Sequence, residues 1–267
     1  MVIMNIFEMI ILGLTQGLTE FIPISSSGHL IIVQQLFSGT SDHLFVEFIN
    51  IGTLLALLVF FRKRIGNILQ DIFVRKNFKL AINILITAVP AGIVGYMLAD
   101  FIGSSPFFGS VIVVIITLTV VGILMIFLER LPKATAIKDG QELSKKRALY
   151  IGLAQMVALI PGVSRSGSTI IAGRLMGLNA ASAAEYSFLA SLPIMFGVTL
   201  KLFSRESDRA YFMEHLPMLL LSNFAAFVAG IIAVGFLMKY LSRHGLAVFG
   251  WYRIGLAALL TIYLLVQ

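Results

Sequence analysis

Long apolar runs alternate with short polar segments along the whole chain. The runs at 108–128 and 218–238 carry almost no charge, and about 20 apolar residues in a helix are enough to cross the hydrocarbon core of a bilayer. The apolar positions are continuous rather than alternating, which favours helices over strands. The pattern predicts helices at 5–22, 27–37, 45–61, 80–99, 108–128, 149–160, 168–177, 183–201, 216–238 and 248–266.

The composition points to the same environment. Of the 267 residues, 58% are hydrophobic and 12% are charged, and the mean hydropathy is +0.97. Inside a bilayer the backbone must satisfy its own hydrogen bonds, so spanning segments are helices or closed barrels. No basic residue precedes the first apolar run, and Gln16 and Glu20 interrupt it, so we do not expect a removable signal peptide. We predict an all-α polytopic membrane protein.

A polar motif near the N-terminus returns 139 positions later. Gly13, Leu14, Gln16, Ser25, Ser27 and Gly28 correspond at this offset to Gly152, Leu153, Gln155, Ser164, Ser166 and Gly167. Further along, Glu47-Phe48 aligns with Glu185-Tyr186 at an offset of 138. The sequence therefore predicts two copies of one unit, 1–129 and 149–267, joined by a polar linker at 130–148.

The count of crossings predicts how the two copies are oriented. Helices 27–37 and 168–177 are too short to cross a bilayer at about 1.5 Å per residue. Each is better interpreted as the second arm of a re-entrant hairpin, 5–37 in the first copy and 149–177 in the second. Each copy then has one hairpin and three full spans, and this odd number inverts the second copy relative to the first. The hairpin tips, 25–29 and 164–169, would meet near the midplane.

The net charge of +7 is interpreted as topology rather than as a nucleic-acid site, because the basic residues cluster in short loops. One side of the predicted bundle carries Arg62, Lys63, Arg64, Arg75, Lys76, Lys79, Arg130, Lys133, Lys138, Lys145, Lys146, Arg147, Lys239 and Arg243. The other side carries Lys201, Arg205 and Arg209. The positive-inside rule makes the first side cytoplasmic and places both termini outside.

Polar groups at the predicted tips are costly in so apolar a chain and mark a functional site. Arg165 suits phosphate oxygens, although a structural salt bridge would also explain it. Gln16 and Glu20 share one helix face and could hold a hard cation or form a buried hydrogen-bonded pair. His29 could act as a base, a nucleophile or a plain hydrogen-bonding group.

Serine residues at both tips have two interpretations that use the same geometry. In the first tip, Ser25, Ser26 and Ser27 could each donate to phosphate or act as a nucleophile. Serine also caps helices, and a helix N-terminus attracts anions.

Several other residues have predicted structural roles. Glu47 and Glu185 could ligate a cation, pair with Arg165 or Arg174, or only favour a helix N-terminus. Arg253, which follows Trp251 and Tyr252, is interpreted as an interfacial anchor. Small residues within the spans, such as Gly92 and Gly230, predict close helix packing.

At these residues the chain resembles the bacterial undecaprenyl-diphosphate phosphatase family of the bacitracin-resistance type. The family pattern of Glu or Gln, three residues, then Glu matches Gln16 and Glu20. Its Ser-Ser-Ser/Thr-Gly-His run matches residues 25–29, and Pro-Gly-x-Ser-Arg-Ser-Gly-x-Thr matches residues 161–169. Many members carry Glu at the position of Gln16, and the missing charge would weaken metal binding there.

The resemblance implies hydrolysis of undecaprenyl diphosphate to undecaprenyl phosphate and phosphate in the bacterial plasma membrane. This reaction recycles the lipid carrier for peptidoglycan and other envelope polymers and underlies bacitracin resistance. The resemblance also implies a divalent cation, Mg²⁺ or Ca²⁺, at Gln16 and Glu20. The partners expected for the protein are a polyprenyl diphosphate lipid and the bilayer, and no nucleic acid. Whether the protein forms a homodimer is left open.

The expected mechanism assigns a role to each tip. The side chains that would hold the phosphates are those of Arg165, Ser25, Ser27, Ser164, Ser166 and Thr169. Glu20, with Gln16, would bind the cation or position water. Ser26 would attack phosphorus with His29 as its base. Attack by His29 itself or by an activated water are alternatives. A transporter or flippase of a lipid carrier or an anion is the rival function, because inverted repeats and broken helices are common in transporters.

Overall fold

The structure is a computed structural model that describes residues 6–37, 42–131 and 137–266. The described residues form helices and loops, apart from one bridge between Ile137 and Leu178. The helices are α1 (Ile6–Phe21), α2 (Ser26–Phe37), α3 (His43–Phe60), α4 (Arg62–Phe73), α5 (Lys79–Met97), α6 (Ala99–Ser104), α7 (Val111–Leu128), α8 (Lys145–Val157), α9 (Arg165–Leu175), α10 (Ala180–Ser204), α11 (Glu206–Glu214), α12 (Leu216–Leu241) and α13 (Ala247–Val266). Two short 3₁₀ helices, Pro106–Gly109 and Gly140–Glu142, complete the list. All ten predicted helices are therefore confirmed, while residue 5 and Lys133 lie outside the described residues.

Five described helices are long and apolar enough to cross a membrane, namely α5, α7, α10, α12 and α13. A sixth candidate is the pair α3 and α4, which is bent by 71° at Phe61. The multi-span, all-helical prediction is thus confirmed. Sequence reasoning missed α4, α6 and α11, because these helices are short or polar and lack a long apolar run.

The helices α1 and α2 form a hairpin that turns over residues 22–25. Leu30 of α2 packs in one apolar cluster with Met9 and Leu12 of α1. At the end of α2, the Gln34 side chain donates to the carbonyl of Asp42, which caps the start of α3. The chain therefore leaves this hairpin beside the start of α3.

The helices α8 and α9 form the second hairpin. Before α8, the carbonyls of Gly140 and Leu143 accept hydrogen bonds from Asn83 of α5. After α9, the carbonyl of Gly177 accepts from the N–H of Ile137 at 3.2 Å. The hairpin as a whole therefore begins and ends beside the linker.

The halves pack by exchanging partners. Helix α1 of the first half packs on α12 of the second, and α8 of the second half packs on α5 of the first. Glycines allow this close approach, because a Cβ atom at Gly17 would overlap the carbonyl oxygen of Ala226. The predicted packing role is confirmed for Gly230, whose Cβ would lie 3.0 Å from Ala56. It is wrong for Gly92, where a Cβ would meet nothing within 4 Å.

Helices α3 and α10 run in opposite directions. Arg64, just after α3, pairs with Asp139 of the linker and with Glu185 near the start of α10. At the opposite end, Asp42 before α3 accepts a 2.6 Å hydrogen bond from Tyr211, just after α10. Arg64 from one predicted group of basic residues and Arg205 from the other thus lie at opposite ends of this helix pair.

Candidate active site

The two hairpin tips have the same local geometry. Ser25 and Ser164 both adopt φ 75°, a left-handed conformation that is uncommon for residues other than glycine and is often retained at functional sites. Their hydroxyl oxygens accept the N–H groups of Gly28 at 3.3 Å and Gly167 at 3.1 Å. These hydrogen bonds cap the helices that follow, α2 and α9, and both serines are buried.

One carboxylate joins the two tips. Glu20, at the end of α1, accepts hydrogen bonds from Ser26 at 2.6 Å and from Arg165 at 2.5 Å. Gln16 donates to the same carboxylate at 3.1 Å and to Asn50 of α3 at 2.5 Å. The side chains of Arg165 and Glu20 are 21% and 12% exposed, so the ion pair lies in a nearly buried setting. The structure thus brings four predicted site residues together.

This cluster lines a polar pocket of about 230 Å³. Ser27 and Ser164 lie in its wall with the four clustered side chains, and α10 contributes Met195 and Thr199. A larger and mostly apolar cavity of about 650 Å³ lies between α3, α5 and α10. The two share Val46, Asn50, Ala158, Ile194 and Val198 in their walls. The polar pocket therefore lies directly beside an apolar space.

His29 does not contact the hydroxyl of Ser26. Its Nδ1 lies 2.7 Å from the carbonyl oxygen of Ser25, and its Nε2 lies 2.8 Å from the hydroxyl of Tyr252. Because a carbonyl only accepts, Nδ1 carries a proton, and in the neutral imidazole Nε2 then accepts from Tyr252. In this arrangement Ser26 donates its hydrogen bond to Glu20 and not to His29, and the role of His29 as the base for Ser26 stays a prediction.

Ser166 and Thr169 brace the second tip. Ser166 lies 3.2 Å from the hydroxyl of Ser164 and donates to the carbonyl of Glu20 at 3.4 Å. Thr169 donates to the carbonyl of Arg165 at 2.8 Å and lies 2.5 Å from the hydroxyl of Ser187. Both side chains are buried. Their contact with phosphate, like that of Ser25, stays a prediction.

Glu185 lies outside the polar pocket and forms an ion pair there. Glu185 pairs with Arg64 at 2.8 Å and not with Arg165 or Arg174. Arg174 pairs instead with Glu129 of α7, also at 2.8 Å.

The prediction that Arg253 is an interfacial anchor is wrong. Its side chain is 0% exposed and donates to backbone carbonyls at both hairpin tips. A charge inside a predicted span was the available signal, but the neighbouring aromatic residues suggested the membrane surface. Asn50 and Tyr252 were also missed, and Asn50 carried the same signal as a polar residue within a predicted span.

Fold and site together define a multi-pass helical membrane protein with a polar pocket where two helical hairpins touch. The chain belongs to the family described as bacitracin resistance protein BacA, which it matches over residues 9–259. Among curated proteins it is 38% identical to an undecaprenyl-diphosphatase of Parvibaculum lavamentivorans over 264 residues, which cover 97% of each chain. It is 39% identical to undecaprenyl-diphosphatase 1 of Clostridioides difficile over 272 residues, 98% of this chain and 97% of the other. A similar match, 37% over 262 residues, covers 97% of this chain and 95% of an undecaprenyl-diphosphatase of Nitrosomonas europaea.

Proposed function

We propose that this protein hydrolyses undecaprenyl diphosphate to undecaprenyl phosphate and inorganic phosphate, which fits the names of its relatives. The observation that carries the proposal is the Glu20–Ser26–Arg165 cluster, where a hydroxyl, a carboxylate and a guanidinium from both hairpins meet in one pocket. This pocket adjoins an apolar cavity. A substrate with a charged head and a hydrocarbon tail needs such a pair of adjoining spaces.

In the proposed reaction, Ser26 is the nucleophile. Its Oγ attacks the terminal phosphorus, its proton passes to the Glu20 carboxylate 2.6 Å away, and the bond from phosphorus to the bridging oxygen breaks. Undecaprenyl phosphate leaves, and water then hydrolyses the phosphoserine to regenerate Ser26 and release phosphate. General-base assistance of this kind contributes about 10²- to 10⁴-fold. Attack by His29 and direct attack by an activated water stay alternatives. Ser26→Ala and His29→Gln distinguish serine from histidine by which variant still forms a phosphoenzyme, and direct attack by water forms no phosphoenzyme.

Arg165 would change partners when substrate binds. Its guanidinium can grip phosphate oxygens and stabilise the charge of the transferring group. Leaving the Glu20 carboxylate for the phosphate would also free that carboxylate to accept the proton of Ser26. The helices α2 and α9 both begin at the pocket, and their N-terminal N–H groups and dipoles favour an anion there.

The prenyl tail would occupy the apolar cavity next to the pocket. Its lining includes Ala88, Ala91 and Gly92 of α5 and Ile194 and Gly197 of α10. These small and aliphatic side chains leave room for a flexible hydrocarbon chain but offer few polar contacts. The cavity would therefore bind the tail mainly through apolar contact, with little selectivity for its far end, although Glu47 and Lys201 also lie in its wall.

A divalent cation fits the site only with help from the substrate. Among the described residues, no group of three His, Cys, Asp or Glu side chains could hold a metal. Glu20 offers one carboxylate, and Gln16 offers an amide. Magnesium is often bound by one or two carboxylates together with substrate phosphates, so these two residues and the diphosphate would hold it. When bound, the cation would neutralise charge on the diphosphate.

We further propose that the two halves form an inverted repeat with re-entrant hairpins. The exchanged packing of α1 with α12 and of α8 with α5 supports this arrangement. So do the hairpin bases, one beside the start of α3 and the other beside the linker. The strongly basic linker end would face the cytoplasm, and both termini would lie outside. Single cysteines can be placed in this cysteine-free chain at exposed Lys145 or Arg205. A thiol reagent that does not cross the membrane should label Arg205→Cys in intact cells, and Lys145→Cys only after the cells are opened.

The decisive experiment is phosphate release by the purified protein in detergent, where only hydrolysis and no transport registers. Undecaprenyl diphosphate and the shorter farnesyl diphosphate should both release phosphate. Arg165→Met should lose at least about 100-fold in kcat/KM, since it removes both a charge and a donor fork from the transition state. A folded wild-type protein that releases no phosphate would refute the proposed function.

A further inference from the structure

One buried arginine donates hydrogen bonds to backbone carbonyls next to both hairpin tips. Arg253 lies on α13 and its side chain is 0% exposed. Its Nη1 donates at 3.1 Å to the carbonyl of Pro23, two residues before the first tip. Its Nη2 donates to the carbonyls of Gly162 and Val163, directly before the second tip, the latter at 3.1 Å. The guanidinium therefore joins two tips that are far apart in sequence.

The carbonyls that it joins occupy matching places in the two motifs. Pro23 and Gly162 are related by the same offset of 139 that relates the repeated serines. One guanidinium thus binds equivalent carbonyls of both copies, and its planar fork of donors is suited to spanning them. A lysine ammonium is a single point and cannot reach two separate tips in the same way.

Arg253 also lacks some of the partners that usually stabilise a buried charge. Among the described residues no carboxylate forms an ion pair with it, and its Nε has no hydrogen-bond partner. A buried charge without a counterion is costly, and an unsatisfied buried donor needs an explanation beyond packing. The bonds to the tips offer that explanation.

The two carbonyls that Arg253 joins lie at the same sequence distance from Ser26 and Arg165, the side chains proposed to act on the phosphate. Ser26 follows Pro23 by three residues, and Arg165 follows Gly162 by three. We propose that Arg253 is a positioning residue that fixes the two tips so that Ser26 and Arg165 act on the same phosphate. This inference rests on the proposed phosphatase function, and Arg253 itself does not touch the substrate.

The test compares kcat, KM and thermal stability of purified Arg253→Lys and Arg253→Met with a matched control. Arg174→Met is that control, because Arg174 is also a buried arginine but pairs with Glu129 away from the tips. Both Arg253 variants should lose about 100-fold in kcat, since small misplacements of reacting groups cost that much. Their KM should change by less than about threefold, because the tail contacts remain. Arg174→Met should melt earlier yet keep its kcat within about threefold.

The result for lysine separates positioning from charge. If Arg253 acted only by its positive charge, Arg253→Lys would keep near-normal kcat, and that outcome would overturn the proposal. A fall in kcat no larger than that of Arg174→Met would overturn it as well. If Arg253→Met does not fold, Arg253→Lys carries the test by the same criteria. An inactive wild-type protein would instead refute the phosphatase function, so the two failures are distinguishable.

Discussion

Replacing Glu20 with Gln probes the centre of the site with almost no change in shape. One oxygen of Glu20 accepts from Arg165 at 2.5 Å, and the other accepts from Ser26 at 2.6 Å and Gln16 at 3.1 Å. A glutamine has one oxygen and one NH₂ group, so it cannot accept at both positions and carries no charge. It can neither take the proton of Ser26 nor balance Arg165.

The expected loss follows from these contacts. General-base catalysis contributes about 10²- to 10⁴-fold, so kcat of Glu20→Gln should fall by that factor, or about 3–5 kcal/mol in the barrier. Stability should fall less, by about 1–3 kcal/mol for a charged group left without its partner. For a chain of this length, each kcal/mol corresponds to about 2–4 °C in Tm.

The assay is phosphate release from farnesyl diphosphate in detergent, with the melting temperature measured on the same samples. The matched control is Glu185→Gln, which removes an equivalent carboxylate from an ion pair with Arg64 outside the pocket. We expect the control to keep its turnover. A folded Glu20→Gln protein that retains kcat within about tenfold of wild type would refute Glu20 as the proton acceptor, because general-base loss costs more.

Three further predictions concern the cavity, the cation and helix packing. Gly197→Leu should raise KM for undecaprenyl diphosphate more than for farnesyl diphosphate, because Gly197 faces open space in the apolar cavity; Gly255→Leu, which also faces open space but lies outside that cavity, should not. A chelator should lower phosphate release at least about tenfold and added Mg²⁺ should restore it, since the cation would neutralise substrate charge; an unchanged rate would argue against the metal. Gly17→Val should lower Tm in detergent by overlapping the carbonyl of Ala226, whereas Gly66→Ala, in open space on α4, should raise stability by up to about 1 kcal/mol.

The motifs predicted which residues meet better than they predicted how these residues pair. The sequence placed Gln16, Glu20, Ser26 and Arg165 at one junction, and the structure brings them together. It paired Ser26 with His29, which is three residues along the same helix. The preferred acceptor instead comes from α1, and nothing in the local spacing distinguishes a carboxylate there from an imidazole next to the serine.

Arg253 shows the limit more clearly. It lies 230 residues from Pro23 and 91 from Gly162, and its neighbours along the chain, Trp251 and Tyr252, are typical of a membrane surface. Its role depends on which face of α13 points inward, and that is set by the packing of α13 on α7.

The sequence by itself determined ten of the thirteen described α-helices, the candidate spans and the repeated motif. In an apolar chain these follow from local physics, because each spanning segment must satisfy its own backbone hydrogen bonds and its length is set by the bilayer. The partners of Ser26, His29, Glu185 and Arg253 were decided only by the tertiary structure. These side chains meet groups from other helices or from the turns between helices, and the helix faces that meet are chosen by close packing at residues such as Gly17 and Gly230, which the polar pattern does not encode.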